Sequence, residues 1–121
     1  MKSAFIICIL FLGIISCKGI TKTLTQKEIL ITILTSNPDS YLGWDVNADV
    51  SKWRGVVLNN NGDVIELSLR HKGLTNLPKE IGQLTNLSEL SLNNNQLTSI
   101  PKEVCDLKIR FLDLGSGVTC E

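Results

Sequence analysis

His71 is the only histidine among the 121 residues, so a serine or cysteine nucleophile that needs a histidine base would have to use it. Glu66, Ser68 and Arg70 lie close to His71 in the sequence. No serine or cysteine stands in a nucleophile-elbow motif, and no pair of titratable groups has an evident reason for perturbed pKa values. The sequence therefore indicates that the protein is not an enzyme, with a hydrolase based on His71 as the alternative.

The composition restricts the remaining chemistry. The four cysteines form no C-x-x-C pair and no cluster with histidine, so neither a metal site nor a cofactor is expected. Twelve Lys and Arg balance 12 Asp and Glu, which argues against bulk electrostatic binding to nucleic acid. A hydrophobic content of 43% excludes a disordered chain, and the length indicates one domain. Any binding must use a local surface.

A hydrophobic segment occupies the amino terminus. Residues 1–16 contain 12 apolar residues behind a single charge, Lys2. As a helix, a run of about 12 residues would rise about 18 Å, which is shorter than the ~30 Å hydrocarbon core of a bilayer. The segment is therefore typical of a signal peptide and not of a membrane span.

The end of this segment places a cysteine in a specific context. The sequence IISC at positions 14–17 resembles the lipobox of bacterial lipoproteins, in which an aliphatic and a small residue precede the cysteine. The resemblance implies that Cys17 is acylated, for example with palmitate, that residues 1–16 are removed, and that residues 17–24 form a tether. The protein would then be lipid-anchored in the cell envelope, at an outer membrane or the cell surface, with its folded part outside the cytoplasm. The alternative is an ordinary secretory peptide cut near Gly19, with Cys17 incidental.

The second half of the chain is periodic. Eight positions recur in residue type 23 residues later. The two sets are Val64, Leu67, Leu69, Leu74, Leu77, Pro78, Ile81 and Leu84, and Leu87, Leu90, Leu92, Leu97, Ile100, Pro101, Val104 and Leu107. A partial third unit starts at Ile109, with its leucines one residue earlier than the period predicts. The pattern LxxLxLxxNxL that begins at Leu87 resembles the leucine-rich repeat, and the 23-residue unit is similar to those of bacterial leucine-rich proteins.

This resemblance implies an α/β repeat fold over residues 64–121: a short leucine-rich-repeat solenoid of two full repeats and one partial repeat, with parallel strands on its concave face. Alternating leucines put their side chains on one face of each strand, and neighbouring units must stack to bury them. Pro78 and Pro101 predict turns to the convex side, each followed by a short helical or 3₁₀ turn.

One asparagine of the repeat pattern has an expected structural role. In the repeats that the chain resembles, the residue at the position of Asn95 is a buried amide that satisfies backbone groups of the loops. Lys72 and Gly117 occupy the equivalent positions of the other two units, so only one unit is expected to have this amide.

Residues 25–63 are predicted to form a cap at the start of the solenoid. Residues 25–28 read TQKE, a capping-box sequence, and the apolar residues that follow have helical spacing. This predicts a helix from Gln26 to Ser36, which the Asn-Pro pair at 37–38 ends.

A hairpin is expected to complete the cap. Apolar residues at 56–58 and 64–65 flank the sequence NNNGD at 59–63, whose tip requires positive φ. Trp44 and Trp53 are expected in the core of the cap. The order of these segments is similar to the cap of plant-type leucine-rich-repeat proteins, although the cysteine pair of the plant version is absent here.

The outward-facing strand residues form the candidate binding face. They are Ile65, Glu66, Ser68, Arg70, His71, Ser88, Glu89, Ser91, Asn93, Asn94, Arg110, Phe111 and Asp113. Because arginine and aromatic side chains most often anchor interfaces, Arg70, Arg110 and Phe111 are the predicted anchors, with His71 and Asn93 beside them. The resemblance implies a membrane-tethered protein that binds a protein or peptide partner. The alternative is a truncated or degenerate repeat protein with a structural role alone.

Cys105 and Cys120 lie 15 residues apart around the last unit. In an exported chain they could form a disulfide that closes the open end of the solenoid. Alternatively, Cys105 lies in the core and Cys120 is free.

Overall fold

A computed structural model describes residues 5–11, 14–20 and 23–121 of the chain. Phe5–Phe11 (β1) and Ile14–Ile20 (β2) pair antiparallel in a sheet of their own. Within the described ranges, no helix is long and apolar enough to cross a membrane. The predicted signal peptide and tether lie partly outside these ranges, and both stay predictions.

The first helix follows the predicted bounds, Gln26–Ser36 (α1). Its capping box is complete, since the Thr25 hydroxyl accepts from the Glu28 backbone N–H at 3.2 Å and the Glu28 carboxylate accepts from the Thr25 N–H at 2.8 Å. These bonds satisfy amides that the first helical turn leaves without partners. The buried face of α1 carries Ile29, Leu30 and Ile33, which join the core.

The predicted hairpin is also confirmed. Val56–Leu58 (β3) pairs antiparallel with Val64–Ser68 (β4), and the register shifts between Val57 and Leu58. Gly62 has a φ of 81° at the tip, a value that glycine adopts at no steric cost.

The two tryptophans lie in the core of the cap, as predicted. Trp44 and Trp53 stack with ring centroids 4.8 Å apart, and both are buried. Each indole N–H donates to a backbone carbonyl, that of Arg54 at 2.9 Å and that of Asp45 at 2.8 Å, so the buried polar atoms are satisfied. A 3₁₀ turn, Val50–Lys52, leads into Trp53.

Parallel strands extend the hairpin into a four-stranded sheet. Glu89–Ser91 (β5) pairs with β4, and Phe111–Asp113 (β7) pairs with β5. Leu67, Leu90 and Leu112 are register partners, so the strands follow the sequence period of 23 and then its shortened step of 22. The stacked units predicted from the periodicity are thereby confirmed.

The convex side consists of short turns after the two prolines. Lys79–Gln83 is a 3₁₀ helix, and Lys102–Cys105 is a single helical turn (α2). The two turns touch at Gly82, where a Cβ atom would stand 2.7 Å from the Cβ of Glu103. The close stacking of the repeats therefore requires glycine at this position.

A small parallel pair closes the last repeat on the convex side. Ser99–Ile100 (β6) pairs with Thr119–Cys120 (β8). On the concave side β7 is the last strand of its sheet, and Leu112 is 39% exposed although its register partners are buried. The alternation predicted a core side chain here, but within the described chain no further unit stacks on this one.

One hydrophobic core runs from the cap into the repeats. Its buried residues are Ile29, Leu30, Ile33, Leu42, Trp44, Trp53, Val56, Val64, Leu67, Leu69, Leu74, Leu77, Ile81, Leu84, Leu87, Leu90, Leu92, Leu97, Ile100 and Val104. Because residues of α1 and of both full repeats share this core, neither part buries its apolar surface alone.

Candidate binding face

The outward side chains of the four-stranded sheet lie in rows that run across the strands. One row contains Val57, Glu66, Glu89 and Phe111, which are successive register partners. We call it the Val57–Phe111 row. A second row contains Ser68, Ser91 and Asp113. The face is therefore acidic and apolar along one row, and hydroxyl-bearing with one carboxylate along the next.

Arg70 lies beyond the second row on the exposed surface. Its guanidinium donates to the Ser91 hydroxyl at 3.4 Å. Ser91, expected to face outward, is only 7% exposed. It lies on an inner strand, with β4 and β7 on either side, which accounts for its burial.

His71 contacts the next repeat through a side-chain pair. Its Nε2 lies 3.1 Å from Nδ2 of Asn94, the residue 23 positions later. Both residues have positive φ, 54° and 60°. Asparagine and histidine tolerate this region better than most residues, so the pair forms at equivalent left-handed positions of two units. The contact joins neighbouring loops at an exposed site.

Asn93 lies half-buried, with its Oδ1 enclosed and without a hydrogen-bond partner in the described chain. It is close to the neighbouring unit, since a Cβ atom at Gly115 would stand 3.3 Å from its Cα. The backbone carbonyl of Asn93 accepts from the His71 N–H at 3.3 Å. This residue therefore connects three adjacent repeats more than it faces solvent.

Arg110 and Phe111 lie at the start of β7 with exposed side chains. Phe111 is 48% exposed at one end of the Val57–Phe111 row. The backbone N–H of each residue donates to the Ser88 carbonyl, at 2.8 and 3.1 Å. The aromatic ring is thus presented from a paired strand and not from a free loop.

The five predicted residues do not converge on a pocket. Phe111 lies in a row with Glu66. Arg70 comes four residues after Glu66, beyond the end of β4, so the backbone positions of Glu66 and Arg70 are up to roughly 13 Å apart. A shallow groove does exist at the loop edge, lined by Asn37, Pro38, Asp39, Tyr41, Gly73, Thr75 and Gln96. None of the predicted residues lines this groove. In the described part of the chain no group of His, Cys, Asp and Glu is arranged to hold a metal.

Asn95 supports the loops as its position in the pattern predicted. Its Oδ1 accepts from the N–H groups of Lys72 at 2.9 Å and Leu74 at 3.1 Å. Its Nδ2 donates to the carbonyls of Leu69 and Leu92, both at 2.7 Å. One amide therefore satisfies four backbone groups where the two full repeats meet.

Asn37 performs the same task for the cap, and sequence reasoning missed it. Its Oδ1 accepts from the N–H groups of Thr75 at 2.9 Å and Asn76 at 3.1 Å. Its Nδ2 donates to the carbonyls of Ile33 at 2.9 Å and Asn76 at 2.8 Å. In the sequence Asn37 indicated only a helix end, because the partners that define its role lie 38 and 39 residues away.

Cys105 and Cys120 form a disulfide, with Cα atoms 6.2 Å apart. It joins α2 to β8 and ties the carboxyl-terminal segment to the convex side of the last full repeat. The sequence left two alternatives open, and the structure contains the disulfide that closes the carboxyl-terminal end of the solenoid.

Known proteins resemble the chain in its repeats and its fold. Residues 64–116 match the family model described as leucine rich repeat. The BIR2 ectodomain of Arabidopsis thaliana is 28% identical, with a TM-score of 0.66 over 79% of this chain and 56% of that chain. A chain of the Arabidopsis thaliana BIR3–SERK2 complex is 26% identical, with a TM-score of 0.62 over 76% of this chain and 55% of that one. No curated protein matches the chain in sequence.

A third structure shares the fold alone. The ectodomain of the Arabidopsis receptor kinase HAESA, in complex with an extended IDA peptide hormone, is 24% identical, with a TM-score of 0.60 over 78% of this chain and 17% of that one. The chain spans about half the length of the first two structures. Together with the parallel register of the sheet, these matches establish a short α/β leucine-rich-repeat solenoid.

Proposed function

We propose that the chain binds a protein or peptide partner through the outward face of its four-stranded sheet and acts by binding, not by catalysis. The observation that carries the proposal is the apolar surface left on this face: Phe111 is 48% and Val57 is 43% exposed. Exposed aromatic residues are enriched among the anchors of interfaces. A leucine-rich-repeat scaffold supports a binding function, and one of the similar structures is that of a complex, BIR3 with SERK2.

The size of the face restricts the partner. Four strands spaced by about 4.8 Å make a surface roughly 15 to 20 Å wide. That is enough for a peptide or a small patch of a protein, and it is below the area of a standard interface. The partner is therefore expected to contact this face through a short segment of its chain.

The first test combines Arg70→Glu with Phe111→Ala. We expect the double variant to lose a partner that the wild-type chain retains from envelope or host extracts, because both predicted anchors are removed. The melting temperature should stay unchanged, since both side chains are exposed and Arg70 makes only a long hydrogen bond. Pull-down and thermal unfolding measure the two properties.

A matched control changes the same kinds of residue outside the sheet. Lys79→Glu reverses an exposed charge on the convex turn, and Val46→Ala removes an apolar side chain that is 46% exposed. This control should retain the partner. If the Arg70→Glu/Phe111→Ala variant retained the partner as well, binding through this face would be contradicted.

We further propose that the protein is a lipoprotein, anchored through Cys17 to a membrane of the cell envelope. The support is the hydrophobic segment 1–16 followed by the sequence IISC. Several acyl chains at one terminus anchor a protein stably, whereas a single chain anchors it only marginally. The folded domain would then be displayed in the aqueous phase with its sheet free to bind.

For the anchor, we expect Cys17→Ala to release the protein from the membrane fraction and to abolish incorporation of radiolabelled palmitate. Cys8→Ala is the matched control, because it removes a thiol from the same segment and should leave labelling intact. Labelling of the Cys17→Ala variant at the wild-type level would disprove the assignment of this cysteine.

A further inference from the structure

The Val57–Phe111 row brings two carboxylates together without a cation. Glu66 and Glu89 are register partners on adjacent parallel strands, whose backbones are about 4.8 Å apart. Like charges directly opposite each other on a sheet are destabilising. In the described part of the chain neither carboxylate forms an ion pair or accepts a hydrogen bond; the ion pair found there joins Lys102 to Asp106 on the convex side.

Neither Arg70 nor Arg110 pairs with these carboxylates. Arg70 donates to Ser91 and lies two residues beyond the end of β4, the strand that carries Glu66. Arg110 precedes Phe111 in the chain and forms no ion pair within the described residues. Among the described residues, no cation pairs with the two carboxylates, which therefore remain available to a cationic group of a partner.

The ends of the row are apolar. Val57 on β3 and Phe111 on β7 flank the two glutamates, and both side chains are substantially exposed. The distance between these ends is three strand spacings, or about 14 Å. An extended segment advances about 3.3 Å per residue and points alternate side chains to one face, so its residues i, i+2 and i+4 cover about 13 Å on that face.

We infer that the sheet face binds an extended protein segment with a Lys or Arg two residues from an apolar residue on each side. The basic side chain lies between Glu66 and Glu89, and the apolar side chains lie against Val57 and Phe111. This inference rests on the proposed function and adds the chemistry of the partner. Charge complementarity selects this occupant, because a neutral or acidic segment would leave the two carboxylates unpaired.

The test selects peptides from a random displayed library on the immobilised full chain, purified in mild detergent. We expect the selected sequences to be enriched in an apolar residue, a Lys or Arg, and an apolar residue at alternate positions. A synthetic peptide with the selected sequence should bind at least about tenfold more weakly to Glu66→Gln/Glu89→Gln, since a charge-assisted contact is lost. Its binding to the wild type should weaken with added salt.

A control variant, Glu103→Gln/Asp106→Asn, removes two exposed carboxylates from the convex side and should bind the peptide like the wild type. Selected peptides that need Phe111 but show no basic residue would overturn the inference and leave the proposed function standing. If the wild-type chain selected no peptide in preference to the Arg70→Glu/Phe111→Ala variant, both the inference and the proposed function would be overturned. The inference would also be overturned if the chain formed a dimer that Glu66→Gln/Glu89→Gln dissociates, because the occupant of the face would then be a second copy of the chain.

Discussion

Asn37→Ala should lower the free energy of unfolding by about 3 kcal/mol or more. Asn37 is 4% exposed, and its amide satisfies the N–H groups of Thr75 and Asn76 and the carbonyls of Ile33 and Asn76. Asn37 is largely buried, so alanine leaves these groups without their side-chain partner, and each unsatisfied group costs about 1–3 kcal/mol before relaxation. The variant also separates the end of α1 from the first repeat loop.

Urea unfolding followed by tryptophan fluorescence measures this effect, because both tryptophans lie in the cap. Asn86→Ala is the matched control: Asn86 is exposed and makes one hydrogen bond, to the Asp63 carboxylate at 2.9 Å. Its loss should cost no more than about 0.5 kcal/mol. A cost for Asn37→Ala as small as that of the control would show that water replaces the amide and that the connection between cap and repeats does not depend on it.

We expect Asn95→Ala to have an effect of similar size, about 3 kcal/mol, at the junction of the two full repeats. Its amide accepts from Lys72 and Leu74 and donates to Leu69 and Leu92, so alanine leaves four backbone groups to find other partners. Neither Lys72 nor Gly117 supplies an equivalent amide in the other units. The amide of Asn37 bonds Thr75 and Asn76 in the same loop, but it does not bond the four groups that Asn95 satisfies.

Thermal and urea unfolding again provide the measurement, with the adjacent residue as control. Asn94→Gly removes an exposed side chain whose contact is with His71, and glycine accepts the φ of 60° at this position without strain. We expect a change within about 1 kcal/mol for Asn94→Gly. Equal destabilisation by both changes would indicate a general sensitivity of the loop and would refute the specific role of Asn95.

The helix, the hairpin and the repeat strands could be predicted from the sequence because their signals are local or periodic. The helix Gln26–Ser36 follows from a capping box and apolar spacing within about a dozen residues, and the turn at Gly62 follows from the requirement for positive φ. The strands of the repeats follow from leucines that recur with one period, and stacking is the only way to bury them. Each signal lies within one unit or repeats between units.

The candidate site was less accessible to sequence reasoning. The alternation identified Glu66, Glu89 and Phe111 as outward-facing, but the repeat pattern does not include Val57, which joins their row through the antiparallel register of β3 with β4. Similarly, the burial of Ser91 depends on the strands on both sides of it. Rows across a sheet are a property of the register between strands.

The sequence by itself therefore determined the repeat solenoid, its capped helix and hairpin, and the faces to which the strand residues point. These depend on backbone propensity and on the period of apolar residues. Tertiary structure alone decided that Asn37 connects the cap to a loop 38 residues away, that Cys105 and Cys120 are bonded, and that two glutamates lie together between two apolar side chains. Such contacts join residues that are distant in the chain, and they exist only after the strands have paired in one register.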